Sequence, residues 1–458
     1  MQPQFGSLQS VDQMTKLGDY EIAELRLYAD SGGDVDLKEG GQFMRLSIFE
    51  DIFSPTMHGF IYIKDGQGLL NRMPINAHET LISSFRTPGI GSEYVDFTME
   101  TSKVDERVRS LGERAEGYKL DLVTGGAKRN LQSRVSTALS GSPESIIEVI
   151  CKDYLQGTLT SEKSSNDISK FAFPNMRPLR AIRSIVPLAL NDKGQSDFLF
   201  YEDRNGYNFK SLSTILNSNK KEPKATYTLK PAASRDTDTG NRNQSFLEGF
   251  TNLREYSPIR QSDHVQSMES GQFSTQVYSY DVWGKSVTSS TNNYYPDFRG
   301  YDREAKHPVV PYNSRYLAGK NRIIVEPKTA KSNTDSDEQR YQSEPDKYRG
   351  SRIVLLNQMT SQQVKIMVPG NSLLELGDHV EILVPRADPI DKSEPVWFDE
   401  RASGVYTITA IRHDIDSNEY TNTLELSRSG IPLEYPSEGK FLGRTKQPDN
   451  AVQGVFIS

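Results

Sequence analysis

One cysteine, six histidines, one acidic turn and two tryptophans are the residues of this chain whose types could do chemistry. Cys151 falls on an expected helix over 143–155. A nucleophile there would need a histidine partner that the sequence does not identify; the alternative is a small residue packed in or near a core. His58, His78, His264, His307, His379 and His413 stand far apart, and no pair has the spacing of metal ligands such as HExxH. His413 precedes Asp414 at the end of an expected strand, and a structural or surface role is the better reading for each histidine. Asp414, Asp416, Asn418 and Glu419 resemble a calcium loop in composition but lack the glycine and distal glutamate of an EF-hand. The alternation on both sides makes them a hairpin turn. There is no GxxxxGK[ST] phosphate loop and no GxSxG nucleophile elbow. Carboxylate pairs for glycoside hydrolysis are defined by their separation in space, and no local pattern supports them. Trp283 and Trp397 are candidate partner anchors; Trp397 lies in an expected loop, EPVWFDE, with packing under that loop as the alternative. The expectation is a chain without catalytic residues, cofactor or metal.

The composition agrees. A length of 458 residues corresponds to about three domains. The hydrophobic class is 35% and the charged class 25%. The first is low for a globular chain and the second ordinary, so the excess lies in Ser, Asn, Gln and Thr. Such a chain spends much of its length in loops or on wetted faces, which suits a thin-walled or oligomeric object. A formal charge of −7 and a pI near 5.6 disfavour a generic nucleic-acid binder, which carries a basic field. A lone cysteine makes an internal disulfide impossible and implies no oxidising compartment. MQPQFGSLQSVDQ lacks a signal-peptide pattern, and no run of about 18 apolar residues marks a membrane span. The sequence predicts assembly in a cytosol without membrane insertion.

The elements that must position these residues are mostly strands. Over 15–135, Tyr20 and Ile22 alternate, then Leu25 and Leu27. Met44, Leu46 and Ile48 alternate with Arg45 and Ser47, the period of a half-buried strand. A connection through Ser54-Pro55 and Gly59 leads to a return strand, Phe60-Ile61-Tyr62-Ile63. Further strands are expected near Leu81 and at Tyr118, Leu120 and Leu122. Over 136–216 the pattern is α+β. Ser142-Pro143-Glu144 reads as N-cap, N1 and acidic first turn, with Ile146, Ile147, Ile150 and Tyr154 on one face. A second helix starts at Arg177-Pro178, carries Leu179, Ile182, Ile185 and Val186, and ends at Pro187. Phe198 and Phe200, then Asn205-Gly206, then Tyr207 and Phe209 make a hairpin.

Over 217–345 the expectation is a polar linker, helices and the first strands of a second barrel. Residues 217–245 read as a long loop. Helices are expected over 245–256 and 260–270, the latter with Gly271 as C-cap, and Phe273, Thr275 and Val277 begin a strand. Residues 328–347 are polar again, as in a mobile loop. Over 346–430 the alternation is clearest. Val364, Ile366 and Val368 run to the turn Pro369-Gly370-Asn371; Leu373, Leu374 and Leu376 run to Gly377-Asp378; Val380, Ile382 and Val384 run to Pro385. Gly404 to Ile415 forms a strand that turns over 416–419. In the return strand buried Tyr420, Leu424 and Leu426 oppose wetted Thr421, Thr423 and Glu425. Residues 431–458 form a C-terminal arm polar enough to fold on a partner. The fold class is therefore mainly β: two antiparallel β-barrel domains with a small α+β insertion. The two β regions share a loose design without residue-level repetition.

The segment Val364–Leu426, containing MVPGNSLLELGDHVEILVP and SGVYTITAIRHDIDSNEYTNTLEL, resembles the late barrel of the baseplate hub proteins of contractile-tailed phages (T-even type) and of the related type VI secretion spike proteins. The matching positions are Pro369, Gly370, Asn371, Gly377, Asp378, Ser403, Gly404, Tyr406, Ile408, His413, Tyr420, Leu424, Glu425 and Leu426. IFEDIFSPTMHGFIYIKDGQGLL (48–70) is similar to the family's early hub segment. FPNMRPLRAIRSIVPLAL with FLFYEDRNGYNFKSL (173–212) is similar to its middle domain. YSYDVW (278–283) is similar to the start of a strand in its second barrel. These pieces follow the family's order over most of the chain. The polar insertions at 217–245 and 328–347 depart from it, and without an appended spike or lysozyme domain the chain looks like a stand-alone hub.

The resemblance implies tail-tube-like barrels and a homotrimer whose six barrels adapt the sixfold tail tube to the threefold central spike, because two rings pair only through a shared rotational order. It implies as partners the tail tube or tube-initiator proteins, the spike, and wedge or tape-measure proteins, with DNA only in transit through a channel and a location in the virion baseplate. The acidic balance would limit adhesion of passing DNA. Two other classes stand beside this one: a tail-associated cell-wall hydrolase, which a muramidase assay would reveal, and a receptor-binding tail protein, for which Trp397-Phe398 is the hint.

Overall fold

The computed structural model describes residues 16–30, 32–39, 42–73, 75–109, 115–217, 223–229, 249–261, 263–294, 321–330, 341–386 and 398–431. Alternating apolar residues produce seven strands in the first region: β1 (Glu21–Tyr28), β2 (Asp34–Asp36), β3 (Phe43–Asp51), β4 (His58–Asp65), β5 (Thr80–Arg86), β6 (Val95–Arg109) and β7 (Glu116–Val123). They pair antiparallel in the order β3-β4-β7-β6-β5-β1-β2. Leu25, Leu27, Leu46, Ile48, Ile61, Ile63, Phe85, Phe97, Leu120 and Leu122 fill the interior, each contributing roughly 1.5–3 kcal/mol of apolar burial. Met44, expected to share the inward face of Leu46 and Ile48, is instead 49% exposed. The pairing of β3 with β4 shifts between Phe43 and Arg45, and a bulge of this kind turns the preceding side chain outward.

The α+β region follows. β8 (Ala138–Gly141) pairs with β10 (Ile168–Ala172), and β9 (Leu159–Ser161) joins the hairpin β11 (Phe198–Asp203) and β12 (Gly206–Ser211). The hairpin's turn lies one residue earlier than predicted. Asp203 pairs with Gly206, so Arg204 and Asn205 form the loop and Gly206, at φ 120°, opens the return strand. The helix at Pro143 is α-helical to Ile150, and Cys151–Leu155 continues as a π-helical turn. Ser142 stands at the N-cap, but its side chain makes no capping bond. The second helix covers Pro178–Ile185, and Pro187 sits in the 3₁₀ turn Val186–Leu188 that ends it.

The second barrel is a closed ring. β13 (Ala225–Thr228), β14 (Glu255–Arg260), β20 (Gln362–Pro369), β21 (His379–Leu383), β22 (Gly404–Asp416) and β23 (Tyr420–Arg428) pair in the order β13-β21-β22-β23-β20-β14. The chain entering β14 closes it: Thr228 N donates to Thr251 O at 2.8 Å and Leu253 N donates to Thr228 O at 3.1 Å. Tyr227, Val364, Ile366, Val368, Tyr406, Ile408, Leu424 and Leu426 fill its core. Three expectations are corrected here. Residues 225–228, read as part of a long loop, form a strand because Ala225 and Tyr227 complete this core. Residues 255–256, read as helix, belong to β14, which beyond the closing contact at 251–253 pairs with β20 alone and so tolerates Pro258. Thr421 and Thr423, read as wetted, are buried along with Ser427.

Both barrels belong to one sheet. β22 is 13 residues long. Its first part pairs with β21, from Gly404↔Ile382 to Thr407↔His379, and its second part pairs with β3, from Ala410↔Asp51 to Asp416↔Arg45. The far end of the β22/β23 hairpin then enters the first barrel: Ile415 and Tyr420 lie in its core, and Tyr420 N donates to Gly18 O at 2.8 Å.

A separate three-stranded sheet is formed by β15 (Ser274–Asp281), β16 (Ser286–Asn293) and β17 (Arg322–Pro327), ordered β16-β15-β17. The segment similar to a second-barrel strand, 278–283, lies in this sheet and its turn rather than in the barrel. Residues 328–347 include β18 (Thr329–Ala330) paired with β19 (Tyr341–Ser343), followed by a helix, Pro345–Met359, where barrel strands or a loop were expected. Its buried residues include Gly350, Ser351 and Gln358 beside Val354, Leu355 and Met359, so no apolar stripe announces it. Proline at the first position and Asp346 in the first turn are the start signal that was available. The helix predicted over 260–270 covers His264–Glu269, and Gly271 follows it at φ 83°. His307, Trp397 and the arm 432–458 lie outside the described residues.

Candidate functional site

The residues that carry the sequence resemblance gather where the two barrels and the α+β region meet. Pro369 ends β20. Gly370 N donates to Tyr420 O at 2.9 Å, with the backbone so close that a Cβ there would lie 2.1 Å from the tyrosine ring. Asn371 N donates to the Asn422 side-chain oxygen. Thr87, just past β5 in the first barrel, reaches across to this turn. Its Oγ1 donates to Gly370 O at 3.1 Å, its N donates to Ser372 Oγ at 3.1 Å, and Ser372 N donates back to Thr87 Oγ1 at 3.0 Å. Arg204, from the α+β hairpin, donates to Ser372 O at 2.8 Å and pairs with Glu375 at 2.6 Å. Gly377, at φ 83°, turns the chain so that Asp378 accepts from Glu375 N at 2.8 Å and pairs with Lys224 at 2.7 Å. Gly404 opens β22 at φ 130°. Tyr406, Ile408, Leu424 and Leu426 are core residues of the second barrel, with the Arg428 guanidinium 4.5 Å from the Tyr406 ring centre. The turn over 369–375, rather than these core positions, forms the junction with the first barrel and the α+β region. Thr87, Ser372 and Arg204 belong to it equally, but nothing in their local sequence signals partners more than 150 residues away.

Beneath the turn lies a buried polar cluster. His413 Nδ1 is 2.7 Å from Tyr420 OH, and His413 Nε2 is 3.3 Å from Glu50 Oε2. Glu50 also accepts from Arg204 N at 2.8 Å. A histidine–glutamate pair has the composition of an acid–base dyad, but the two side chains are 1% and 2% exposed, so no substrate reaches them. One strand position on, Asp414 accepts from Arg45 Nε at 2.7 Å and Ser47 Oγ at 2.9 Å, and Arg412 stands 3.0 Å away. Burial opposes its ionisation, but these hydrogen bonds and charges prevail, holding the carboxyl below its ordinary range. The acidic turn is a hairpin: Asp416 Oδ1 accepts from Asn418 N and Glu419 N at 2.7 and 2.8 Å.

A second seam joins the α+β region to the first barrel. Glu202, on β11, accepts from Thr124 Oγ1 at 2.7 Å and Met57 N at 3.2 Å. Burial outweighs both bonds and pushes its carboxyl up to about 7. Cys151 is fully buried in the helical core of this region, where burial, then Glu202, pushes its thiol up to about 12; it packs as a core residue. The other described histidines are dispersed. His58 stacks on Phe49, His264 leans on Phe273, His379 is bonded to Thr407, and His78 is exposed. Trp283 is 82% exposed in the turn after β15. Among the described residues no group of three or more His, Cys, Asp or Glu is placed to hold a metal, and no helix is long and apolar enough to cross a membrane.

No family model matches the chain. Over 261 residues it is 24% identical to the probable baseplate hub protein gp334 of Vibrio phage KVP40, a match covering 55% of this chain and 57% of that relative. Two solved structures share its fold: the tail protein from Neisseria meningitidis MC58 (TM-score 0.50, 12% identity, covering 90% of this chain and 97% of that one) and the 43 kDa tail protein of prophage MuSo2 from Shewanella oneidensis (0.51, 11%, 90% and 99%). The chain is similar to phage baseplate hub and tail proteins. The match to the hub relative spans little more than half of either protein, and the structural likeness is one of fold.

Proposed function

We propose that this chain is a structural subunit of a baseplate hub ring between the tail tube and the central spike. Three copies assemble about an axis, and their six barrels present a sixfold face to the tube and a threefold face to a central spike. Wedge or tape-measure proteins dock outside, and DNA passes through the channel. The observation that carries this reading is that one chain holds two barrels fused edge to edge through β22 and β3. A fused pair doubles the number of barrels per copy, which is what a change from threefold to sixfold order requires. Joining the barrels along strand edges also covers edges that would otherwise invite aggregation. The sealed histidine–glutamate pair and the buried cysteine favour a scaffold over a hydrolase. Each copy's charge of −7 gives the ring an acidic balance that limits DNA adhesion.

The test is the native mass of the purified full chain, alone and mixed with tail-tube protein. Three copies per particle is expected. A monomer at micromolar concentration or a particle of six copies overturns the ring as proposed.

A further inference from the structure

The α+β region carries a groove that also reaches Pro55 of the first region. It is open, about 810 Å³ in volume, and four arginines line it: Arg134, Arg177, Arg180 and Arg183. Local geometry brings them together. Val135 and Met176 form an antiparallel bridge, with N···O distances of 2.7 and 3.0 Å, which sets Arg134 beside Arg177. Arg177 is the N-cap of the helix Pro178–Ile185, and Arg180 and Arg183 follow at three-residue steps along it. That helix has no acidic residue in its first turn, so the positive end of its dipole adds to the arginines instead of being offset.

Among the described residues these four have no acidic partner, although the chain carries 61 Asp and Glu against 54 Lys and Arg. Arg26, Arg45, Arg86, Arg107, Arg109, Arg204 and Arg254 are all in ion pairs. Among the described residues, no carboxylate lies within 4 Å of the guanidinium groups lining the groove; Arg134 turns to the backbone oxygens of Leu131 and Ser133. An exposed field of one sign, held in a concave surface, favours an anion. Guanidinium forks match carboxylates in pairs. Pro55, Met176 and Leu179 give the groove apolar patches, which suit a peptide side chain, and among the described residues lining it there is no aromatic ring on which a nucleic-acid base would stack.

We infer that this groove docks an acidic, extended segment of a partner protein, with carboxylates on the arginines and an apolar side chain between them. The test uses the full-length chain and a fluorescein-labelled peptide of Glu-Glu-Leu repeats, read by fluorescence anisotropy. Saturable binding is expected, weakening at least tenfold in the triple variant Arg177→Glu, Arg180→Glu, Arg183→Glu and several-fold when serine replaces the peptide's leucine. The three side chains are exposed, so the thermal melt of the variant should match that of the parent. If the triple variant fails to fold, Arg180→Gln alone should weaken binding about threefold. Absence of saturable binding, equal binding by the folded variant, or stronger competition from duplex DNA of equal charge than from unlabelled peptide would each overturn the inference.

Discussion

The two seams of this molecule bury the same kind of group and treat it in opposite ways. Between the barrels, Asp414 faces Arg45 and Arg412 as well as Ser47, and stays ionised despite burial. Between the first barrel and the α+β region, Glu202 is hydrogen-bonded by neutral donors, a hydroxyl and a backbone N–H; Arg129 acts on it without forming an ion pair, and burial prevails, raising its carboxyl to about 7. Burial costs a charge in both places; what differs is whether a cation is in direct contact with the carboxylate. The barrel seam is therefore set to hold from mild acid upward, whereas the α+β seam holds best while Glu202 keeps its proton. Two closely joined barrels with a more pH-sensitive appendage is the mechanical picture that results.

The most disruptive way to probe this contrast is steric. Gly370→Ala places a methyl against three ring carbons of fully buried Tyr420, and the expected loss is about 3 kcal/mol or more by urea denaturation. Gly126→Ala, at the other seam, meets one close atom, the hydroxyl of buried Tyr207, where Gly370→Ala meets three, so a smaller loss of about 2 kcal/mol is expected. An equal or reversed ranking would remove the claim that the barrel seam is the stiffer one.

The pH dependence of Glu202 comes next in discriminating power. Its folded value lies above its unfolded one, so the folded state binds the extra proton. The stability from that proton is present below about pH 4.5 and is lost as pH rises through about 7, a fall of about 3 kcal/mol. Glu202→Gln should flatten that part of the profile, and an unchanged slope in the variant would refute the assignment. Asp414 works in the other direction. Its stabilisation is present above the ordinary aspartate value and is lost as pH falls through its lowered folded value. Asp414→Asn should cost about 1–2 kcal/mol at pH 7 and remove this acid-side loss. The smallest effect is expected at the rim, where Arg26 pairs with Asp34 and Asp36 in partly exposed positions. Arg26→Ala should leave the urea midpoint close to that of the parent, a baseline against which both seams are measured.

How much of this was readable beforehand depends on the range of the interaction. The strands at 43–51, 58–65, 116–123, 362–369, 404–416 and 420–428 announce themselves because a half-buried strand alternates within its own few residues. The strand at 225–228 did not, because Ala225 and Tyr227 are apolar only relative to a partner, β21, some 155 residues later. The helix at 345–359 did not, because its buried face uses glycine, serine and glutamine. At the site, the turn 369–371 stood out by composition, but the residues that clamp it did not. Thr87 and Arg204 are ordinary in their own surroundings.

The sequence by itself determined the mainly β class, most of the strand positions and the residues that fill each core, since periodicity records which face of an element avoids water. Tertiary structure alone decided that β22 would serve two barrels, that Asp414 would stay charged while Glu202 would not, and that four arginines would share a groove. Period two states that a face is buried without naming the strand beside it, and the ionisation of a carboxyl depends on which charges lie a few ångströms away, whatever their distance along the chain.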